Sequence, residues 1–179
     1  MRRLNFAACL LAASFLAATS GATDKKLHVG DIPPDSLGRT VAGAPVKLSS
    51  YRGKVVIVAF FASWCAPCRK ELPILASVQT QATHEQMAVF EVDWKESPAQ
   101  YTLIARKLKD FDFTFVRDSD GSYGDRYDVN AIPHMVIIGR DGRVAAIHVG
   151  YGESEIPTLV KEINTLLAAA APAAPNLPQ

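Results

Sequence analysis

The chain has 179 residues, with 19 basic and 18 acidic side chains, so no charge imbalance argues for a nucleic-acid face or an acidic solvating tail. An apolar fraction of 49% is ordinary for a globular protein. The length supports one domain whose core needs no disulfide staples.

The first residues read as a targeting segment, not as part of the fold. "MRRLN" is a basic start, "FAACLLAASFLAA" an apolar run, and "TSGA" supplies small residues, the pattern of a signal peptide cleaved after Ala22. The run is shorter than the roughly twenty apolar residues of a spanning helix; an uncleaved anchor is the alternative. Cys9 lies ahead of most of the apolar run and is removed with it. Loss of residues 1–22 takes two arginines and no acid. Cys65 and Cys68 remain, in an oxidising compartment where disulfides persist.

Residues 23–53 predict an irregular lead-in with possible short strands, since "DIPPD" and "AGAP" carry turn chemistry. "KVVIVAFF" (54–61) is β-branched and aromatic without alternation, as in a strand buried on both faces. "CAPCRKELPILASVQT" has helical composition, with Pro73 expected to kink it. "MAVFEVDW" (87–94) predicts a second strand. "SPAQYTLIARKLKD" predicts an amphipathic helix with Tyr101, Ile104, Ala105 and Leu108 on one face. "FTFVRD" is a short strand candidate and "GSYGDRYDV" a turn or short helix. "HMVIIGRDGRVAAIHVG" is two apolar runs around a Gly-Arg-Asp-Gly turn, a hairpin signal. "ESEIPTLVKEINTLLAAAA" predicts the last helix, and the Ala/Pro-rich end reads as a disordered tail, residues 169–179. The domain therefore spans 23–168. Its element order implies right-handed parallel crossovers closed by an antiparallel hairpin, hence an α/β fold with a mixed central sheet and helices on both faces.

The two thiols sit where the first strand pattern gives way to a helix pattern, at a carboxyl strand end where open α/β sheets place their sites. A bridge across two intervening residues removes little unfolded-state entropy, so stability explains the pair poorly and chemistry explains it better. At a helix N-terminus the unpaired amides and the dipole favour a Cys65 thiolate, the attacking species. Cys68, one turn on, is placed to bridge to it, and Pro67 is tolerated early in a helix. The spacing suits two-step exchange: Cys65 attacks a partner disulfide, then Cys68 attacks the mixed disulfide and releases the partner. Trp64 is expected to shield the site.

"FFASWCAPCRKELP" (60–73), with the preceding "VKLSSYRGKVVIVAFFASWC" and the later "YDVNAIPHMVIIGRDGRV", resembles the TlpA/ResA/CcmG-like (redoxin) group of exported thioredoxin-fold oxidoreductases. The resemblance runs from about Gly30 to Gly150 and implies the thioredoxin fold. It implies a cis Pro133 facing the disulfide and Ile132 offering backbone groups to the substrate chain. Departures accompany it. Thioredoxins carry a buried acid six residues before the first cysteine, where this chain has Ala59. Glu71, in the group's CxxCxxE spacing, is the replacement candidate as proton carrier, and burial would raise its pKa toward neutrality. Phe61 stands where tryptophan is common, and His134 where threonine is common. Ala62 replaces the Thr or Ser of a peroxidase.

The resulting expectation is an exported, periplasmic thiol:disulfide oxidoreductase without cofactor, monomeric, acting as a reductant through Cys65 and Cys68. Its partners would be protein disulfides, in cytochrome c maturation, copper-centre assembly or general clients, with a membrane thiol-transfer protein as electron donor. The alternative is a non-catalytic copper-binding module using Cys65, Cys68 and His134. His84 and His148 read as surface or strand residues, and Trp94 as a site-edge or packing aromatic.

Overall fold

The computed structural model describes residues 26–170. The expected signal peptide and all but the first two residues of the expected tail lie outside them.

Every residue of β3 (Val55–Phe61) is buried, as its unbroken apolar run requires. It pairs in parallel with β4 (Met87–Trp94) and antiparallel with β6 (His134–Ile138). β5 (Thr114–Asp118) adds in parallel to β4, and β7 (Val144–Val149) adds antiparallel to β6. The β6–β7 turn closes with the Gly142 amide donating to the Gly139 carbonyl at 2.8 Å. Gly142 sits there at φ +72°, a conformation that favours glycine. The lead-in is more regular than its turn chemistry suggests. β1 (Ser36–Thr40) and β2 (Pro45–Lys47) form an antiparallel ribbon, and β1 pairs with the free edge of β5. The sheet order is β2-β1-β5-β4-β3-β6-β7, a mixed sheet as expected.

Strand alternation divides the core. Val55, Ile57 and Ala59 of β3, with Met87 and Val89 of β4, pack beneath α1 (Ala66–Thr80) and α4 (Ile156–Ala168). Farther along the same face, Phe61 packs with both cysteines and with Tyr101, Ile104 and Ala105 of α2 (Pro98–Lys107). The opposite face carries Val56, Val58, Phe60, Phe90 and Val92 under Leu48 and Tyr127. A 3₁₀ turn (Leu48–Tyr51) and the five-residue α3 (Ser122–Arg126) contribute to its cover. Helices thus lie on both faces, with all three longer ones on the face that holds the cysteines. α1 runs on through Pro73, where the missing amide removes one hydrogen bond without ending the helix.

Candidate active site

The site begins where β3 ends. Cys65 is the N-cap of α1, in extended conformation, and its Sγ accepts a hydrogen bond from the Cys68 amide at 3.2 Å. An N-cap acceptor satisfies one of the amides that a helix start leaves unpaired. Pro67 lies in the first turn, where no amide is needed. Cys65 and Cys68 are joined as a disulfide, Cα to Cα 5.3 Å. Cys65 is 4% exposed and Cys68 1%, so the outer cysteine is the expected one, by a small margin. Trp64 does not shield the pair as expected: it is 64% exposed, because the N-cap turn leaves it outside the packed helix start.

The Ile132–Pro133 peptide is cis, as the resemblance implies. Pro133 is buried, and its carbonyl accepts from the Gly150 amide at 2.8 Å. Ile132 is half-buried and packs against the cluster that holds both cysteines. The chain's own β6–β7 end therefore holds this loop against the disulfide region.

Glu71 is no surface glutamate. It is 7% exposed on the inner face of α1, and burial pushes its pKa up to about 7. It also borders a cleft of about 480 Å³ lined by Ile74, Met135, His148 and Tyr151 among others, which gives its carboxyl an outlet to solvent. A separate groove of about 550 Å³ runs between α1 and α2, floored by Phe61, Leu72 and Ile104.

Three further buried acids line this face: Glu91, Asp93 and Glu96. Ala59 has not left the interior without an acid, because Glu91 is its direct cross-strand neighbour in β4. Glu91 is 1% exposed, and its Oε1 has no hydrogen-bond partner among the described residues. Burial, and then the charge of Glu71, hold its carboxyl well above the usual range. Asp93, also unpartnered, is pushed up to about 8 by burial and by Glu96. Burial pushes Glu96 upward too, but hydrogen bonds from Asp93 and Ser63 outweigh it and hold Glu96 below its usual value. Ser63 supplies its amide at 2.7 Å and its hydroxyl at 2.6 Å. The signal for these acids was present in "MAVFEVDW": residues 91 and 93 continue the alternation of Met87 and Val89.

His134 does not join the cysteines. It pairs with Phe60 in register, and its ring stands edge-on to the Phe60 ring at 6.1 Å, on the sheet face opposite α1. Its alternation with Val136 and Ile138 fixes that side. Burial lowers its pKa. The ligand set Cys65, Cys68 and His134 is therefore not assembled, and the described residues hold no group of three metal-ligating side chains. His84 pairs with Asp112 at 2.9 Å and His148 with Glu162 at 2.7 Å. Trp94 packs against the opposite-face core, a packing aromatic. Among the described residues, no helix is long and apolar enough to cross a membrane.

A sequence profile of the Redoxin family matches residues 28–167. The thioredoxin-like protein YneN of Bacillus subtilis is 30% identical over 126 residues, 69% of this chain and 73% of that protein. The thiol-disulfide oxidoreductase ResA of the same organism is 27% identical, covering 70% of each chain. A solved structure from Chlorobium tepidum, described as a thiol:disulfide interchange protein DsbE, superposes with a TM-score of 0.70 at 31% identity over 80% of this chain and 100% of that one. The buried CxxC disulfide at the start of α1 has the same setting that these names describe, and the chain belongs to the TlpA/ResA/CcmG-like redoxin family of thioredoxin-fold thiol:disulfide oxidoreductases.

Proposed function

We propose that the protein is an exported reductant of protein disulfides, with Cys65 as the attacking thiolate, Cys68 as the resolving thiol and Glu71 as the proton carrier. The observation that carries this reading is the cap: the Cys68 amide points at the Cys65 sulfur. Helix-start donors that now bond a disulfide sulfur are placed to hold a thiolate after reduction.

In the reduced protein, the Cys65 thiolate attacks one sulfur of a client disulfide. A Cys65–client bond forms, and the client's other thiolate leaves and takes a proton from water. Cys68 gives its proton to the Glu71 carboxylate and attacks the Cys65 sulfur. The Cys65–Cys68 bond forms, the client bond breaks, and the second client thiolate is protonated. One protein dithiol has become a disulfide and one client disulfide two thiols. Glu71 then returns its proton through the cleft it borders. Trp64, exposed beside Cys65, with Ile132 and Pro133, would contact the client chain. The signal-like N-terminus supports export to the periplasm. A reductant there needs re-reduction, by a membrane thiol-transfer protein. Apocytochrome c, copper-centre assembly proteins and general clients are the acceptor classes.

Cys68→Ser tests the roles. That variant should accumulate mixed disulfides through Cys65, readable by mass spectrometry of trapped complexes. Trapping by Cys65→Ser in place of Cys68→Ser would reverse the roles. A pair reduction potential more oxidising than that of glutathione would sink the reductant direction.

A further inference from the structure

Glu91 has no structural reason to be an acid. α1 presents Glu71 to it, and β3 and β5 present Ala59 and Phe115 as its strand partners. α4 covers this side with Leu159 and Ile163. Asp93, two residues along the strand, is engaged with Glu96 and bears on Tyr101. No cation faces Glu91 among the described residues, and its Oε1 is unpartnered. On packing grounds a leucine of similar volume would suit this place better. The one polar neighbour it has is the carboxyl that the exchange reaction uses.

We propose that Glu91 is a positioning residue for the exchange reaction: as a neutral carboxylic acid beneath α1, it donates a hydrogen bond to the Glu71 carboxylate and so sets how readily Glu71 takes the Cys68 proton. The inference rests on the reading of Glu71 as the proton carrier. Two like acids in one buried place cannot both ionise at neutral pH, and the deeper one keeps its proton. Glu71, with its outlet to the cleft, is the member that exchanges with solvent. Glu91 keeps its own proton throughout, so the balance of the resolving step is unchanged: Cys68 loses a proton, Glu71 gains it, and the client thiolate leaves. The donor's effect is on the Glu71 carboxylate, which it stabilises and aims.

The test follows the resolving step alone. A mixed disulfide between Cys65 and thionitrobenzoate is formed on the mature protein, and release of the coloured thiol by Cys68 is timed from about pH 5 to about pH 9. Glu91→Gln keeps both shape and an N–H donor; its profile should match wild type within about twofold. Glu91→Leu removes the donor; its midpoint should move up by about one pH unit, with about tenfold slower release below the midpoint. Infrared difference spectra at alkaline pH should show a protonated-carboxyl stretch in wild type that Glu91→Gln loses. Three outcomes overturn the proposal. Leu and Gln variants that both keep the wild-type profile leave Glu91 merely structural. A Gln variant as impaired as the Leu variant means that an ionised carboxylate is what matters. Absence of the infrared band means that Glu91 is charged. Glu71→Gln is run beside them. If it moves the profile while the Glu91 variants are silent, the pairing alone fails. If it leaves the profile untouched, the Glu71 reading fails and takes the pairing with it.

Discussion

Asp118 and Glu91 are both strand acids, each 1% exposed, and they are buried for different reasons. Asp118 closes β5 and accepts two backbone amides from the start of α3, Tyr123 at 3.0 Å and Gly124 at 2.8 Å. Burial raises its pKa and the two amides oppose the rise. Its carboxyl replaces hydrogen bonds that the short helix needs, so the acid is architecture. Glu91 lies one strand inward with an unpartnered oxygen and an acid for a neighbour. The lesson is that burial of an acid does not mark function. A satisfied buried carboxyl belongs to the fold, and an unsatisfied one beside reactive sulfurs is a candidate for chemistry.

The contrast should appear as opposite signs in stability. The Glu91 carboxyl binds its proton more tightly folded than unfolded, because its folded pKa lies well above the model-compound value of 4.5. The unfolded chain ionises first as pH rises, so the penalty is absent in acid and grows above about pH 4.5. Glu91→Leu should therefore stabilise the oxidised protein by about 3 kcal/mol near pH 8, with the gain shrinking toward pH 4. Asp118→Ala should destabilise it by about 2 kcal/mol, since it leaves two amides of α3 without their acceptor. Urea unfolding of both variants across pH measures this. Destabilisation by both would erase the distinction between the two acids.

Glu71 sharpens the same point. Its folded pKa of about 7, against a model value of 4.5, means that wild-type stability falls as pH rises from about 4.5 to about 7 and is level above. Glu71→Gln lacks that fall and should be more stable by about 2–3 kcal/mol at pH 8, with no gap near pH 4. A small stability effect is expected only for a partly buried side chain, and 7% exposure removes that condition. The same variant should move thiol alkylation to lower pH and flatten the pH dependence of exchange, because no carboxylate then opposes a second negative charge. Equal stability of variant and wild type at pH 8 would return Glu71 to the class of Asp118.

How far the sequence could be read follows from what is local. The run 54–61, the CxxC and the Gly-Arg-Asp-Gly turn are local signals, and each appears where expected. The β1–β5 pairing joins residues 39 and 117, and nothing in "SLGRT", with a glycine at its centre, announces such a partner. The acids at 91 and 93 were visible as an alternation, but their meaning depends on α1 lying over that face. His134 shows the same limit in reverse. It follows Pro133 directly, yet strand alternation turns it to the far side beside Phe60. Proximity in sequence to a site is no guide to its side once a strand has begun.

Glu96 tests the smallest part of the contrast. It is 8% exposed but, unlike Glu91, fully engaged: the Ser63 amide and hydroxyl both donate to it, and Gln100 donates to the Ser63 hydroxyl at 3.0 Å. Those bonds tie α2 to the turn that carries Trp64 into Cys65. Glu96 is held below its usual pKa, so the sign is the reverse of that for Glu71. Its contribution is present above the ordinary carboxylate range and is lost as pH falls through the lowered value. Glu96→Gln keeps one carbonyl acceptor and turns an amide N–H₂ toward the other donor, which costs about 1 kcal/mol. The effect should be local: hydrogen exchange at the Ser63 amide should speed about fivefold, while amides of β3 keep their protection. Wild-type protein taken below the ionisation of Glu96 should show the same local loss without the mutation. If Ser63 exchange is unmoved by both the variant and acid, the turn before Trp64 is held by the disulfide and α1 alone, and Glu96 joins Glu91 among the acids that the fold does not require.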